Sequence, residues 1–307
     1  MESLKLIIAG LDFAGKTSSI IALREKYNFY EKVENLKPTV KIEYNSFEFL
    51  DEWEVNIWDM GGQEKYRKLY LDKPEYFADT NYFYYYIDIQ DEEKVSESIN
   101  YFNELTKILN DVGYSNEIIV CFHKYDPKLR RDKEILERIN NIKTELKKNE
   151  EFEFQFFRTS IFDISSLSKA ISHSLNNLVD FSVLKMVIKG LIRKFNGNYA
   201  ILYTDSGVIL VDFYKDVLDS IEYEEKVRQN INQDLILIQK LNDDNVEFSE
   251  RVDYDEEIEY LKKYEIGSNV FFLKMNLPKL NEEEIKLLKK NFKNFENDLE
   301  NVFLKDT

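Results

Sequence analysis

Through the first half of the chain, short apolar runs alternate with stretches in which apolar residues return every three or four positions. That rhythm predicts strands alternating with helices. "LKLIIA" (4–9) reads as a buried strand, followed by a glycine turn and the helical "KTSSIIALREKY". "KIEYNSFEFL" alternates as a half-buried antiparallel strand does, and "WEVNIWD" runs beside it. "YFYYYIDIQ" (82–90) is the next strand, its aromatic run reading as core rather than as a binding surface. A helix of about 20 residues with Val95, Ile99, Phe102, Leu105 and Leu109 on one face comes after it. The strand "IIVCFH", a helix carrying Ile135, Leu136, Ile139 and Leu146, the strand "FEFQFFRTS" and a helix ending near Leu178 complete a mostly parallel α/β sheet.

Beyond about residue 180 the rhythm changes, which predicts two domains, 1–178 and 181–307, the second of the α+β class. Val183, Leu184, Val187, Ile188, Leu191 and Ile192 recur at helical spacing, and "YAILYTDSGVILVDFY" places two apolar strands around a hairpin turn. A long helix is predicted from Asp216 to Leu241, then strands through "NVFFLKM". A last helix is predicted to open at Asn281, with acids in its first turn and Ile285, Leu288, Phe292, Phe295 and Leu299 inward. The acidic "DYDEEIEY" reads as a solvated face.

Composition narrows the partners. A formal net charge of −16 disfavours nonspecific nucleic-acid binding and adsorption to anionic membranes. A single cysteine, Cys121, forms no intramolecular disulfide and fits a reducing cytoplasm, and two histidines are too few for a histidine metal cluster. Apolar runs stay well short of a membrane span. The opening "MESLKLIIAG" reads as a strand rather than a signal peptide, and Glu2 does not fit a myristoylation site.

The chemistry lies in five short stretches. "GLDFAGKT" (Gly10–Thr17) has the spacing of a phosphate loop between a strand and a helix, so Gly10, Asp12, Phe13, Ala14, Gly15 and Ser18 are expected to line phosphates. Lys16 is expected to neutralise the β- and γ-phosphates, and the Thr17 hydroxyl to ligate Mg²⁺. In "LKPTVKIE", Thr39 is placed to complete the Mg²⁺ shell and sense the γ-phosphate. "WDMGGQE" offers Asp59 to the metal through water, the Gly62 amide to the γ-phosphate and Gln63 to orient an attacking water. A tight glycine turn after a strand is the plainer reading of that stretch, and the phosphate loop upstream weighs against it.

"HKYD" then reads a base. Asp126 can accept from the N1–H and N2–H₂ of guanine, a donor pair that adenine lacks, and the Lys124 stem can pack over the ring. His123 can donate to guanine N7 or tie loops together. "RTSI" offers Ser160 and the Ile161 amide to O6. The predicted ligands are GTP or GDP with Mg²⁺.

In this order the stretches resemble a Ras-superfamily G domain over residues 1 to about 178. "GLDFAGKT", "PTVKIE" and "WDMGGQEKYR" are similar to Arf switches, without the Arf amphipathic N-terminal helix, whereas "FHKYD", "YYIDIQDEE" and "FFRTSIFD" resemble Rag/Gtr GTPases. The resemblance implies a roadblock (longin-like) dimerisation domain in 181–307. It also implies a homodimer or heterodimer, activating, exchange-factor and effector proteins, and membrane recruitment through partners. Trp58, Tyr66, Arg67 and Tyr70 are then candidates for an effector surface, with Trp58 equally readable as core. No arginine is obviously placed as an internal finger, so slow intrinsic hydrolysis is expected. An Arf-like trafficking GTPase fused to another domain and a nucleotide-stabilised scaffold without turnover are the alternatives; a metabolic kinase is the weakest, since it would leave the guanine-reading residues without use.

Overall fold

The computed structural model describes residues 2–25, 29–50, 52–205, 207–215, 248–252 and 257–304. It divides into two compact units, Met1–Ala170 and Ile171–Thr307. The helix predicted over 216–241 lies outside the described residues.

In the first unit, β1 (Glu2–Gly10) is flanked by β3 (Trp53–Met60) and β4 (Tyr82–Asp88), both parallel to it. β2 (Ile42–Phe49) pairs antiparallel with β3, while β5 (Ile118–His123) and β6 (Phe154–Arg158) extend the parallel side. The six-stranded order is β2-β3-β1-β4-β5-β6. Helices α1 (Lys16–Glu25), α2 (Tyr30–Glu34), α3 (Glu64–Leu71), α4 (Val95–Asp111), α5 (Lys133–Leu146) and α6 (Ile164–Leu175) connect and follow the strands.

Each strand's sequence reports its place. β2 is an edge strand: its apolar Ile42 and Phe47 are partly buried, Phe49 is buried, and Tyr44 is exposed beside the exposed Glu43. β4 lies between β1 and β5, so Tyr82 to Ile87 are all buried, with Tyr85 against Phe102 of α4 at 4.9 Å between ring centres. Residues 89 and 90 leave the strand predicted to hold them, and α6 ends at Leu175, three residues before the predicted end. The loops that carry most of the predicted site residues follow β1, β3, β5 and β6, all at one edge of the parallel sheet, where α/β ligand sites form.

The second unit opens with α7 (Ser182–Lys194) and the hairpin β7 (Tyr199–Thr204) to β8 (Ile209–Tyr214), with Gly207 at φ +80° in its turn. Strands β9 (Phe248–Val252), β10 (Glu257–Ile266) and β11 (Asn269–Pro278) follow. The antiparallel order β8-β7-β11-β10-β9 sets the hairpin beside the last strand. The last helix, α8 (Glu282–Phe303), starts in the predicted way: Asn281 accepts from the amides of Glu283 and Glu284, and the Glu284 carboxylate accepts from the Asn281 amide in return. Leu288, Phe292, Phe295 and Leu299 are buried, with Phe295 edge-on to Tyr264 of β10. Among the described residues no helix is long and apolar enough to cross a membrane.

Candidate functional site

The loops at that edge surround a cavity of about 450 Å³ whose lining includes Asp12, Phe13, Gly15, Lys16, Thr17, Ser18, Thr39, Gly62, Gln63, His123, Lys124, Asp126 and Ile161. The structure therefore gathers almost all of the predicted residues around one space. Gly10, Ala14, Asp59 and Ser160 stand behind it.

The phosphate loop is built for close approach. Gly15 has φ +84°, and a Cβ there would lie 2.4 Å from the His123 ring. Lys16 is buried and donates to the carbonyls of Gly10 at 3.1 Å and Leu11 at 2.7 Å. Burial pulls its pKa down to about 8, against the opposing pull of Asp59 and Asp12.

Beside it, three oxygens converge. The Thr17 hydroxyl donates to Asp59 Oδ2 and lies 2.8 Å from the Thr39 hydroxyl, and Thr39 is itself 3.5 Å from Asp59 Oδ2. Asp59 Oδ1 is buried with no hydrogen-bond partner among the described residues, and burial raises the carboxyl pKa to about 6, opposed chiefly by Lys16. Two hydroxyls beside a carboxylate with an unused buried oxygen suit a hard, oxygen-seeking cation such as Mg²⁺.

Switch two is held against the phosphate loop. A Cβ on Gly62 would lie 2.2 Å from the Asp12 nitrogen, so only glycine fits there. Gln63 sits at the start of α3, its side chain making no hydrogen bond to the first turn, and is half-buried. Arg67 Nε donates to the Gly62 carbonyl at 2.9 Å while its other end pairs with Glu97, so this arginine buttresses switch two. Tyr70 is fully buried and donates to the Lys41 carbonyl at 2.7 Å, which removes it from the predicted effector surface. Trp58 is partly buried, edge-on to Tyr44 with the Lys5 ammonium over its ring.

At the base end, Asp126 Oδ1 accepts from Ser160 Oγ at 2.7 Å and Oδ2 from Gln90 Nε2 at 3.0 Å. Gln90 also donates to the Lys124 carbonyl, and the Lys124 ammonium pairs with Asp88 at 2.6 Å. Lys124 sits at φ +60°, a strained setting for a lysine that its partners maintain. Gln90 and Asp88 lie within "YYIDIQDEE", but the sequence predicts no role at the site for either, because their contacts to Asp126 and Lys124 arise only in the fold. Phe162, within "FFRTSIFD", likewise has no expected role: it is half-exposed, lines the cavity and stacks on Tyr30 at 6.1 Å.

His123 is fully buried, with Nδ1 3.0 Å from the Thr159 hydroxyl and Nε2 3.4 Å from Ser19. Since Ser19 donates its hydroxyl hydrogen to the Gly15 carbonyl, this pattern favours the tautomer that donates from Nε2. Of its two predicted roles the geometry matches the tie between loops. Burial depresses its pKa to about 3, with Lys124 a smaller cause. Folding stability is therefore expected to fall as pH drops below about 6.5, where the unfolded chain takes up a proton that the folded chain refuses. Comparing His123→Asn with the parent by denaturant titration, the parent should lose about 2 kcal/mol more between pH 6.5 and 5. Equal pH slopes would contradict a neutral buried ring.

The family model described as the Gtr1/RagA G protein conserved region matches residues 5–231, well over half of the chain. Among solved structures, the Arl6 BBS3 small GTPase from Trypanosoma brucei with bound nucleotide analogue GppNp is similar over 57% of this chain and 96% of its own, at 17% identity and a TM-score of 0.44. The residues predicted for phosphate, switch and base contacts meet at one sheet edge, and the family match over most of the chain leads to one conclusion: the chain belongs to the Gtr1/RagA family of G proteins and is a Rag/Gtr-type small GTPase switch.

Proposed function

We propose that this protein binds GTP and GDP with Mg²⁺, hydrolyses GTP slowly alone and faster with an activating protein, and dimerises through its second unit to recruit effectors. The observation that carries the nucleotide part is the meeting of Thr17, Thr39 and the unpartnered Asp59 oxygen beside a buried Lys16.

Thr17, Thr39 and, through water, Asp59 would hold Mg²⁺, which when bound neutralises charge on the β- and γ-phosphates. Lys16 and the loop amides from Asp12 to Ser18 bind the phosphates. Asp126 accepts from guanine N1–H and N2–H₂, the Lys124 stem covers the ring, and the Ile161 amide faces O6; Ser160, expected at O6 as well, spends its hydroxyl hydrogen on Asp126 and its amide on Ser166, and so holds the carboxylate instead. Gln63 orients the attacking water. Thr39 and the Gly62–Gln63 segment are already joined through Lys41, whose carbonyl accepts from the Gly61 amide at 2.7 Å and from Tyr70. A γ-phosphate that engages both segments orders them together, and hydrolysis releases them.

Gln63→Leu is expected to keep GTP affinity and lose activator-stimulated turnover, a stimulation of about 10³–10⁵-fold in related chemistry. Single-turnover hydrolysis with and without an activating protein reads this, and unchanged stimulation removes Gln63 from the role. The same assay separates a working switch from a nucleotide-stabilised scaffold, which would show no accelerated turnover.

Helix, hairpin, three-strand meander and final helix in the second unit support the roadblock reading. Strands β8 and β9 are its sheet edges, and an uncovered edge invites pairing. Light scattering with GDP and with a non-hydrolysable GTP analogue is expected to give a mass near twice 36.7 kDa in both states for a self-pairing chain. A monomer in both states points to a distinct partner chain or against the roadblock assignment.

A further inference from the structure

One ion pair at the cavity has no part in the roles above. Asp12 Oδ1, in the phosphate loop, lies 3.1 Å from Lys94 Nζ, and the same ammonium is 5.4 Å from the centre of the Phe13 ring. Lys94 reaches the loop from the short turn Glu92–Lys94 ahead of α4. That turn is anchored twice. Asp91 accepts from the Lys94 amide at 3.3 Å, and Arg138 donates to the Ile89 carbonyl at 2.6 Å while pairing with Glu92. The cation is therefore delivered to Asp12 by a fixed element.

The pair is about one-third exposed on both sides, 35% and 33%, so its contribution to stability is small. Its position is more informative. The Asp12 nitrogen is the atom a Gly62 Cβ would strike, so Asp12 stands where the phosphate loop meets switch two. Lys16 and Thr17 lie further along the loop, at the start of α1. In the proposed GTP site, Asp12 is thus at the γ-phosphate end. An uncompensated carboxylate there repels the terminal phosphate of a triphosphate more than the nearer charges of a diphosphate.

We propose that Lys94 is a positioning residue for nucleotide selectivity: by holding and neutralising the Asp12 carboxylate, it allows the cavity to accept a nucleoside triphosphate. The inference rests on the guanine-nucleotide reading of the same site. It assigns Lys94 an action through Asp12, without contact to the nucleotide.

The test is a double-mutant cycle on the full chain with Lys94→Met, Asp12→Asn and the two combined. GDP and a non-hydrolysable GTP analogue are titrated with Mg²⁺ by calorimetry. At half-exposed separations, one uncompensated charge changes affinity by about tenfold, so Lys94→Met should lower the triphosphate-to-diphosphate affinity ratio by about that factor. The double variant should recover the ratio, and Asp12→Asn alone should bind the triphosphate at least as well as the parent. Equal weakening of both nucleotides by Lys94→Met would mark a structural role and overturn the proposal. So would an undiminished Lys94→Met effect in the Asp12→Asn background, which would put Lys94 directly on the phosphate. A parent chain that binds neither nucleotide brings down the guanine-nucleotide reading itself, an outcome distinct from an unchanged ratio.

Discussion

Lys16→Ala is expected to weaken guanine-nucleotide binding by about 10²–10⁴-fold, the effect of removing one partner from a buried, hydrogen-bonded charge pair. Lys16 is enclosed by the phosphate loop, and its ammonium donates to two carbonyls, Gly10 and Leu11. Those dipoles incompletely replace water, as its pKa near 8 indicates. Phosphate oxygens supply the missing counter-charge, so the ammonium gains more from the ligand than an exposed lysine would. Alanine removes that gain and leaves the phosphates facing the nearby Asp59 carboxylate. Calorimetry with GDP measures the loss directly. In a melting experiment, GDP at about 100 times the parent's Kd stabilises the parent by about 2.7 kcal/mol and the variant by no more than about 0.4 kcal/mol. Retained affinity would contradict the assignment of Lys16 to the phosphates.

Asp126→Asn is expected to weaken guanine-nucleotide binding by about 10²–10⁴-fold and to admit xanthine nucleotides instead, following the cost of facing a buried donor with another donor. The parent carboxylate uses one lone pair of each oxygen on Ser160 and Gln90, which leaves the others for the N1–H and N2–H₂ donors. Asparagine offers one acceptor and one donor. Its NH₂ opposes the guanine amino group and suits the C2 carbonyl of xanthine. Gln90 can turn its own amide to accommodate the change. Competition between GDP and xanthosine diphosphate reads the exchange, and unaltered guanine preference would place base recognition elsewhere.

Both variants act on residues that are legible in the amino-acid sequence, because each belongs to a stretch that carries its own geometry. A strand, a glycine turn and a helix start bring loop amides together within eight residues, so "GLDFAGKT" announces a phosphate site locally. The alternation of β2 and the unbroken apolar character of β4 likewise report an edge strand and a central one. The last helix of the second unit is announced by Asn281 and its acids for the same local reason.

Residues that act by meeting distant partners are illegible in the sequence. Gln90 reaches Asp126 across 36 positions, Lys94 reaches Asp12 across 82, and His123 reaches Ser19 across 104. Tyr70 reads as surface from its place beside switch two, yet helix α3 turns it inward onto Lys41. The sequence by itself determined the α/β class and most residues around the cavity, and it is the source of the proposed phosphate and guanine chemistry, since these follow from period, turn chemistry and short spacing. Only the tertiary structure decided which side chains hold the Asp126 carboxylate, what His123 ties together and which cation meets Asp12. Those pairings depend on β4 lying between β1 and β5, an order set by the packing of the whole sheet and written in no short stretch of the chain.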